Sequence, residues 1–144
     1  MDIRKIEYKF ELDEIDWLDA AELIRLAPLG VRDPVKLRRS CEKSYLTCFA
    51  FDGTRLIGMG RAISDGEYQA AIYDLVLLPE YQGSGIGKEI MEQIHSRLPV
   101  DTIILYAVPG KEVFYKKLGY HKMLTAMAKK DKNTDRFRSD GYIE

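Results

Sequence analysis

One stretch decides most of what this chain can be: Gln82-Gly83-Ser84-Gly85-Ile86-Gly87, set between an apolar run and an amphipathic one. Before it, Ile72 to Leu78 reads as a strand that Pro79 stops. After it, Ile86, Ile90, Met91, Ile94 and Leu98 recur at helical spacing until Pro99 ends the helix. Glycines at alternate positions where a helix begins leave backbone N–H groups bare of side chains. The first N–H groups of a helix have no internal partner, and the helix dipole makes that end electropositive. Strand, glycine loop and helix start therefore predict a site for an anionic group, most often a phosphate. Two common phosphate patterns do not fit. A dinucleotide fingerprint needs a third glycine where Lys88 stands. A P-loop would need glycine at Gln82 and a hydroxyl at Glu89.

The rest of the composition narrows the class. A chain of 144 residues suits one domain with its own core, and 46% hydrophobic against 31% charged residues is an ordinary globular balance. A net charge of −1 argues against a nucleic-acid binder. The N-terminal stretch mixes charged and apolar residues and does not read as a secretory signal. No run approaches the ~18 apolar residues of a membrane span. Cys41 and Cys48 form no CxxC, and His95 and His121 lie far from them, so neither a metal site nor a disulfide is expected. Two thiols without a framework suit a reducing cytoplasm.

In order, the chain reads as a first strand from about Glu7 to Leu12, then a helix through Trp17, Ala20, Ala21 and Ile24 capped by Asp13 or Asp16. Pro28-Leu29-Gly30 breaks it, and Asp33-Pro34 opens a second helix to about Lys43. Tyr45 to Phe51 and Arg55 to about Ile63 form a hairpin about Asp52-Gly53, with Gly58 and Gly60 loosening the return strand. Ser64-Asp65-Gly66 turns the chain into the strand Tyr68 to Leu78. Beyond the central helix, Thr102 to Val108 has the continuous apolar pattern of a strand buried on both faces. A short helix, Lys111 to Leu118, closes on Gly119. Tyr120 to about Lys129 is expected as the last core strand, and 130–144 as a polar, mostly basic tail. This pattern predicts one mixed α/β domain over residues 1–144.

Gln82, Gly85 and Gly87, preceded by Leu77-Leu78-Pro79, match the pattern [Gln/Arg]-x-x-Gly-x-[Gly/Ala], and by it the chain resembles the GNAT N-acetyltransferases. A second segment, Phe114-Tyr115-Lys116-Lys117-Leu118-Gly119-Tyr120, is similar to that family's FYxKxGF/Y motif. The resemblance implies a mixed, mostly antiparallel sheet with helices on both faces, and acetyl-CoA as acyl donor without a metal. It implies that Leu75, Val76 and Leu77 pair with the pantetheine arm, and that Gln82, Gly83, Ser84, Gly85, Ile86, Gly87 and Lys88 hold the pyrophosphate. It also makes Tyr115 the general acid that protonates the departing thiolate. A phenol with an ordinary pKa near ~10 holds that proton at neutral pH. Against these roles, Lys88 reads equally as a solvated helix residue and Ser84 equally as a turn residue; core packing is the alternative for Tyr115, which the first motif outweighs. Where many relatives carry an asparagine before the tyrosine helix, this chain has Ala107-Val108-Pro109-Gly110.

The expected reaction is acetyl transfer to a primary amine by direct attack in a ternary complex. A small-molecule amine is the first choice of acceptor, and a protein N-terminus or lysine side chain the second. A CoA-binding sensor or interaction module without turnover is a separate reading. The acceptor groove is expected between the first two helices and the loop Ser64 to Tyr68, with Arg32, Arg38 and Arg39 as candidate carboxylate contacts. For the base, Asp74, Glu67, Asp65, Tyr73 and water stay open. His95, His121, Cys41 and Cys48 read as structural. Nucleic-acid and membrane partners are not expected, and a homodimer is left open as the commonest soluble assembly.

Overall fold

The computed structural model describes residues 2–144 and falls into two compact units, one through Leu105 and one spanning Tyr106–Glu144. In the first, five strands lie side by side in chain order: β1 (Ile6–Lys9), β2 (Leu46–Asp52), β3 (Arg55–Ser64), β4 (Gln69–Leu77) and β5 (Thr102–Ile104). The first three junctions are antiparallel and the last, β4 with β5, is parallel. Three α-helices, α1 (Trp17–Leu26), α2 (Pro34–Glu42) and α3 (Ile86–Arg97), and two short 3-10 turns, Ile3–Lys5 and Pro79–Tyr81, lie in the same unit. The starts of α1 and α2 follow from local chemistry. Asp16 accepts from the N–H groups of Leu18 and Asp19, and Asp33 accepts from Lys36 with Pro34 at the first helical position.

Helices cover both faces of the sheet. The ring of Trp17 from α1 meets Phe49 of β2 edge-on at 6.2 Å, on the face that Met59 also joins through its pairing with Phe49. On the other face α3 buries Ile86, Ile90, Met91 and Ile94. Gly58 and Gly60 explain how closely it sits. A Cβ at Gly58 would stand 2.9 Å from Leu77 Cδ1, 3.0 Å from Ile90 Cδ1 and 3.1 Å from the Val76 carbonyl oxygen. One at Gly60 would stand 3.0 Å from Ile94 Cδ1. These glycines do not loosen β3, as the sequence suggests; they let the central helix settle on it.

β5 is shorter and more open than expected. It ends at Ile104 rather than Val108, and Thr102 and Ile104 are exposed, because it is the outermost strand and has one neighbour only. Among the described residues, no helix is long and apolar enough to cross a membrane.

The second unit holds α4 (Glu112–Lys116) and α5 (Thr134–Ser139), the latter inside the stretch expected as a tail. Tyr106, Phe137 and Tyr142 form its aromatic cluster, with Phe137 and Tyr142 stacked at 4.5 Å. The strand expected over Tyr120 to Lys129 is absent: this segment is irregular and exposed from His121 onward. Its run from Met123 to Ala128 lacks strict alternation and, apart from Thr125, is built from methionine, leucine and alanine rather than β-branched residues. No extended neighbour within the unit offers it a ladder.

Gly58→Val is expected to destabilise the protein by about 1–3 kcal/mol through overpacking. Thermal unfolding should show a midpoint several degrees lower, with α-helical content retained.

Candidate functional site

The site begins where β4 outruns its neighbour. β5 accompanies β4 only from Gln69 opposite Thr102 to Ala71 opposite Ile104. From Ile72 to Leu77 the strand has no sheet partner on that side, although β3 stays paired along the other. The Leu78 N–H donates to the Ile57 carbonyl at 2.8 Å, and the Leu77 carbonyl accepts from Gln82 Nε2 at 3.1 Å. Gln82 thus ties the loop to the end of the strand, a role that its position in the motif does not reveal. Tyr81 fixes the same corner. Its ring is buried, and its hydroxyl donates to Asp52 Oδ2 in the β2–β3 hairpin at 2.6 Å. In the sequence, Tyr81 leaves a single trace, an aromatic residue directly before the motif.

The glycine loop is open as expected. Gly83 and Gly85 have φ of +79° and +91°, left-handed values that favour glycine, and a Cβ on either would meet nothing within 4 Å. Among the described residues, the backbone N–H groups from Gly83 to Lys88 have no protein acceptor, and no side chain caps α3. The first N–H to fold back is that of Glu89, onto the Gly85 carbonyl at 3.1 Å. The Ser84 hydroxyl donates to the Tyr81 carbonyl, which commits its proton to the turn. Lys88 forms an exposed pair with Glu92 at 3.8 Å, worth little and easily given up. Successive free N–H groups at a helix start, with clear space before them, fit a diphosphate. The bare strand edge beside them fits an extended chain carrying amides.

The structure sorts the base candidates. Asp74 is buried within β4 at a left-handed φ of +55°, a conformation that costs a non-glycine residue of order 1–3 kcal/mol. It accepts from Arg32 Nη1 at 3.1 Å and Nη2 at 2.9 Å, and from Arg61 Nε at 2.7 Å. Burial pushes its pKa up, but the two guanidinium groups outweigh burial and hold the carboxyl below its ordinary value. Asp74 is therefore a poor proton acceptor. Asp65 takes N–H groups from Glu67, Tyr68 and Gln69, which also lower its pKa. Tyr73 lies under the Arg61 guanidinium, 5.4 Å from its ring centre, and Glu67 is exposed. Arg32 was expected to face a substrate carboxylate; its fork is spent on Asp74. Arg38 pairs loosely with Glu42 at 3.9 Å on the exposed side of α2.

Tyr115 belongs to the second unit. It is half-buried on α4, edge-on to Phe114 at 5.0 Å and to Tyr120 at 5.9 Å. Burial pushes its pKa up, so the phenol keeps its proton well above neutral pH. The Tyr120 N–H returns to the Tyr115 carbonyl at 3.1 Å, which explains the left-handed Gly119 between them and the end of the helix. Cys41 and Cys48 are free and buried, and burial raises their pKa values to about 11 and about 12, which leaves them unreactive at neutral pH. Among the described residues, no cluster of metal-ligating side chains occurs.

Comparison with known proteins bears on this arrangement. The family profile described as "Acetyltransferase (GNAT) domain" matches residues 29–133. The chain is 32% identical over 124 residues to the uncharacterized ycf52-like N-acetyltransferase of Prochlorococcus marinus, covering 79% of this chain and 69% of that one. It is 44% identical over 72 residues to the uncharacterized N-acetyltransferase ycf52 of Porphyra purpurea, which is 48% of this chain but only 41% of the relative's length. A solved structure, a probable acetyltransferase of methicillin-resistant Staphylococcus aureus, superposes with a TM-score of 0.76 at 25% identity, covering 88% of this chain and 99% of that one.

The Asp74 ion pairs carry a pH signature. Because the folded-state pKa is depressed, their stabilisation is complete above the unfolded carboxyl value of about 3.9 and is lost as pH falls through the folded value. Asp74→Asn is expected to cost about 3 kcal/mol at pH 7, since it leaves two arginines underpaired. Urea unfolding across a pH series should show the gap between the two proteins closing below about pH 4.

Proposed function

This chain belongs to the GNAT acetyltransferase family, and from that premise we propose that it transfers an acetyl group from acetyl-CoA to the primary amine of a small molecule, by direct attack in a ternary complex. The observation that carries this reading is the row of unpaired N–H groups from Gly83 to Lys88 at the start of α3, beside the unpartnered end of β4. Those donors hold the two phosphates, helped by the helix dipole and, once it leaves Glu92, by Lys88. The free edge from Leu75 to Leu77 hydrogen-bonds the amides of the pantetheine arm as an added strand would. Acetyl-CoA supplies an activated acyl carbon. A backbone N–H near Leu77 polarises its carbonyl, and the Tyr115 phenol hands a proton to the sulfur as the C–S bond breaks and the C–N bond forms.

An acceptor that arrives as an ammonium ion must lose a proton first. With Asp74 and Asp65 committed to other partners, water, alone or aligned by Tyr73 or Glu67, takes it. Two buried free thiols support a reducing, cytoplasm-like compartment. A second reading, a CoA-binding module without turnover, draws on the same two committed carboxylates.

Two substitutions test the roles assigned to the loop and to Tyr115. Gly85→Glu puts an anion in the phosphate cradle and should abolish acetyl-CoA binding by calorimetry, with circular dichroism confirming that the variant is folded. Tyr115→Phe should lower kcat by about 10²-fold in a thiol-release assay while acetyl-CoA affinity stays within about twofold. An unchanged rate under conditions where chemistry limits turnover would return Tyr115 to a packing role.

A further inference from the structure

β4 contains one residue more than its partner needs. Met59 faces Val76 and Arg61 faces Tyr73, so Asp74 and Leu75 together stand opposite Gly60. Such a bulge bends the strand and redirects the backbone groups that follow it. Here the bulged residue is Asp74, in a left-handed conformation, and the groups that follow are those of Leu75, Val76 and Leu77 on the open edge.

Charge-assisted hydrogen bonds hold this conformation from several directions. Arg61 comes from β3, and its Nη1 also donates to Ser44 Oγ at 3.2 Å, whose hydroxyl donates to the Ser40 carbonyl at the end of α2. Arg32 comes from the segment joining α1 and α2, and its fork grips both oxygens of the carboxylate. The Asp74 side chain is 5% exposed and that of Arg61 12%, whereas Arg32 is 33% exposed and closes the cluster from the solvent side. One carboxylate therefore links the bulged strand β4 to the segment joining α1 and α2. A stabilising pair would serve as well at any buried position; this one sits on the strained residue that sets the direction of the open edge.

We propose that Asp74 is a positioning residue for the transfer reaction: through Arg32 and Arg61 it fixes the bulge that aims the backbone of Leu75 to Leu77, and it ties the α1–α2 segment to that strand. This rests on the acetyltransferase reading for its consequence in rate, though not for its consequence in structure. An asparagine at this position keeps the size and the tolerance of left-handed φ but loses the charge. A glycine removes the backbone strain and the carboxylate together. Arg32→Lys keeps a charge and loses the two-pronged grip.

The test compares wild type with Asp74→Asn, Asp74→Gly and Arg32→Lys, measuring melting temperature, acetyl-CoA affinity, kcat and KM across an amine panel, and backbone amide shifts. Both Asp74 variants are expected to lower kcat at least tenfold with acetyl-CoA affinity within threefold, and to shift the amides of Leu75 to Leu77 while those of Gly83 to Lys88 stay. Arg32→Lys should fall between, with a raised KM for the acceptor. Full activity in Asp74→Gly would overturn the proposal, because strain tolerance would then be all that Asp74 supplies. So would unchanged kcat and unchanged Leu75 to Leu77 amides in either Asp74 variant, or a loss of rate that matches the loss of folded protein. Should the Asp74 variants not fold, Arg32→Lys decides on the same readouts. If wild type binds no acetyl-CoA or acetylates no amine, the transferase reading fails on its own, and the amide shifts alone decide whether Asp74 sets the strand.

Discussion

The seating of α3 on two glycines of β3 is the contact on which the candidate site depends. Gly58 and Gly60 let Ile90 and Ile94 approach the strand to a distance at which any side chain at Gly58 would make Leu77 and Ile90 shift. That approach fixes the start of α3, and with it the glycine loop, against the end of β4. Gln82 and Tyr81 then pin the loop at its two corners, to the Leu77 carbonyl and to Asp52. Among the described residues, the N–H groups in between have no protein acceptor, and a Cβ at Gly83 or Gly85 would meet nothing within 4 Å. A helix start normally finds a side-chain cap. This one has glycine at the cap position and none, which leaves its donors to a ligand.

A second constraint acts across the sheet. The Arg32–Asp74–Arg61 cluster places two positive charges on one buried carboxylate. Such burial adds little stability beyond what apolar residues would give, but breaking it is costly. Its value is better sought in geometry, since the same aspartate occupies the left-handed position of the β4 bulge. The cluster also removes Asp74 from the list of bases, and the turn at Asp65 removes another. In the proposed reaction, proton removal from the acceptor then falls to water, alone or aligned by Tyr73 or Glu67.

Much of the first unit was legible in the sequence. The alternation and turn signals gave the β2–β3 hairpin, β4 and the two capped helices within a residue or two, and the glycine spacing located the loop. What could not be read was set by partners distant in the chain. Nothing local says that Asp74 adopts a left-handed φ, that Arg32 meets it across the fold, or that Gly58 is needed for helix packing instead of strand flexibility. The errors gather after Ile104. Thr102 to Val108 looks like a buried central strand, but hydrophobic content does not distinguish a central strand from an outer one with a single neighbour. Tyr120 to Lys129 looks like a strand only if alternation is read generously, and methionine and alanine have no strong β preference. The short helix from Thr134 to Ser139 is flanked by Asn133 and Gly141, but the Asn133 side chain makes no cap hydrogen bond, and the ring stack of Phe137 on Tyr142 accompanies the helix instead.

The most direct measurement is a backbone amide map of the protein titrated with acetyl-CoA. The largest perturbations should fall on Gly83 to Lys88 and on Leu75 to Leu77, the free N–H donors of the loop and the free edge of β4. Perturbations confined to other residues, or none at saturating ligand, would contradict the central claim that these unpaired backbone groups are the acyl-donor site.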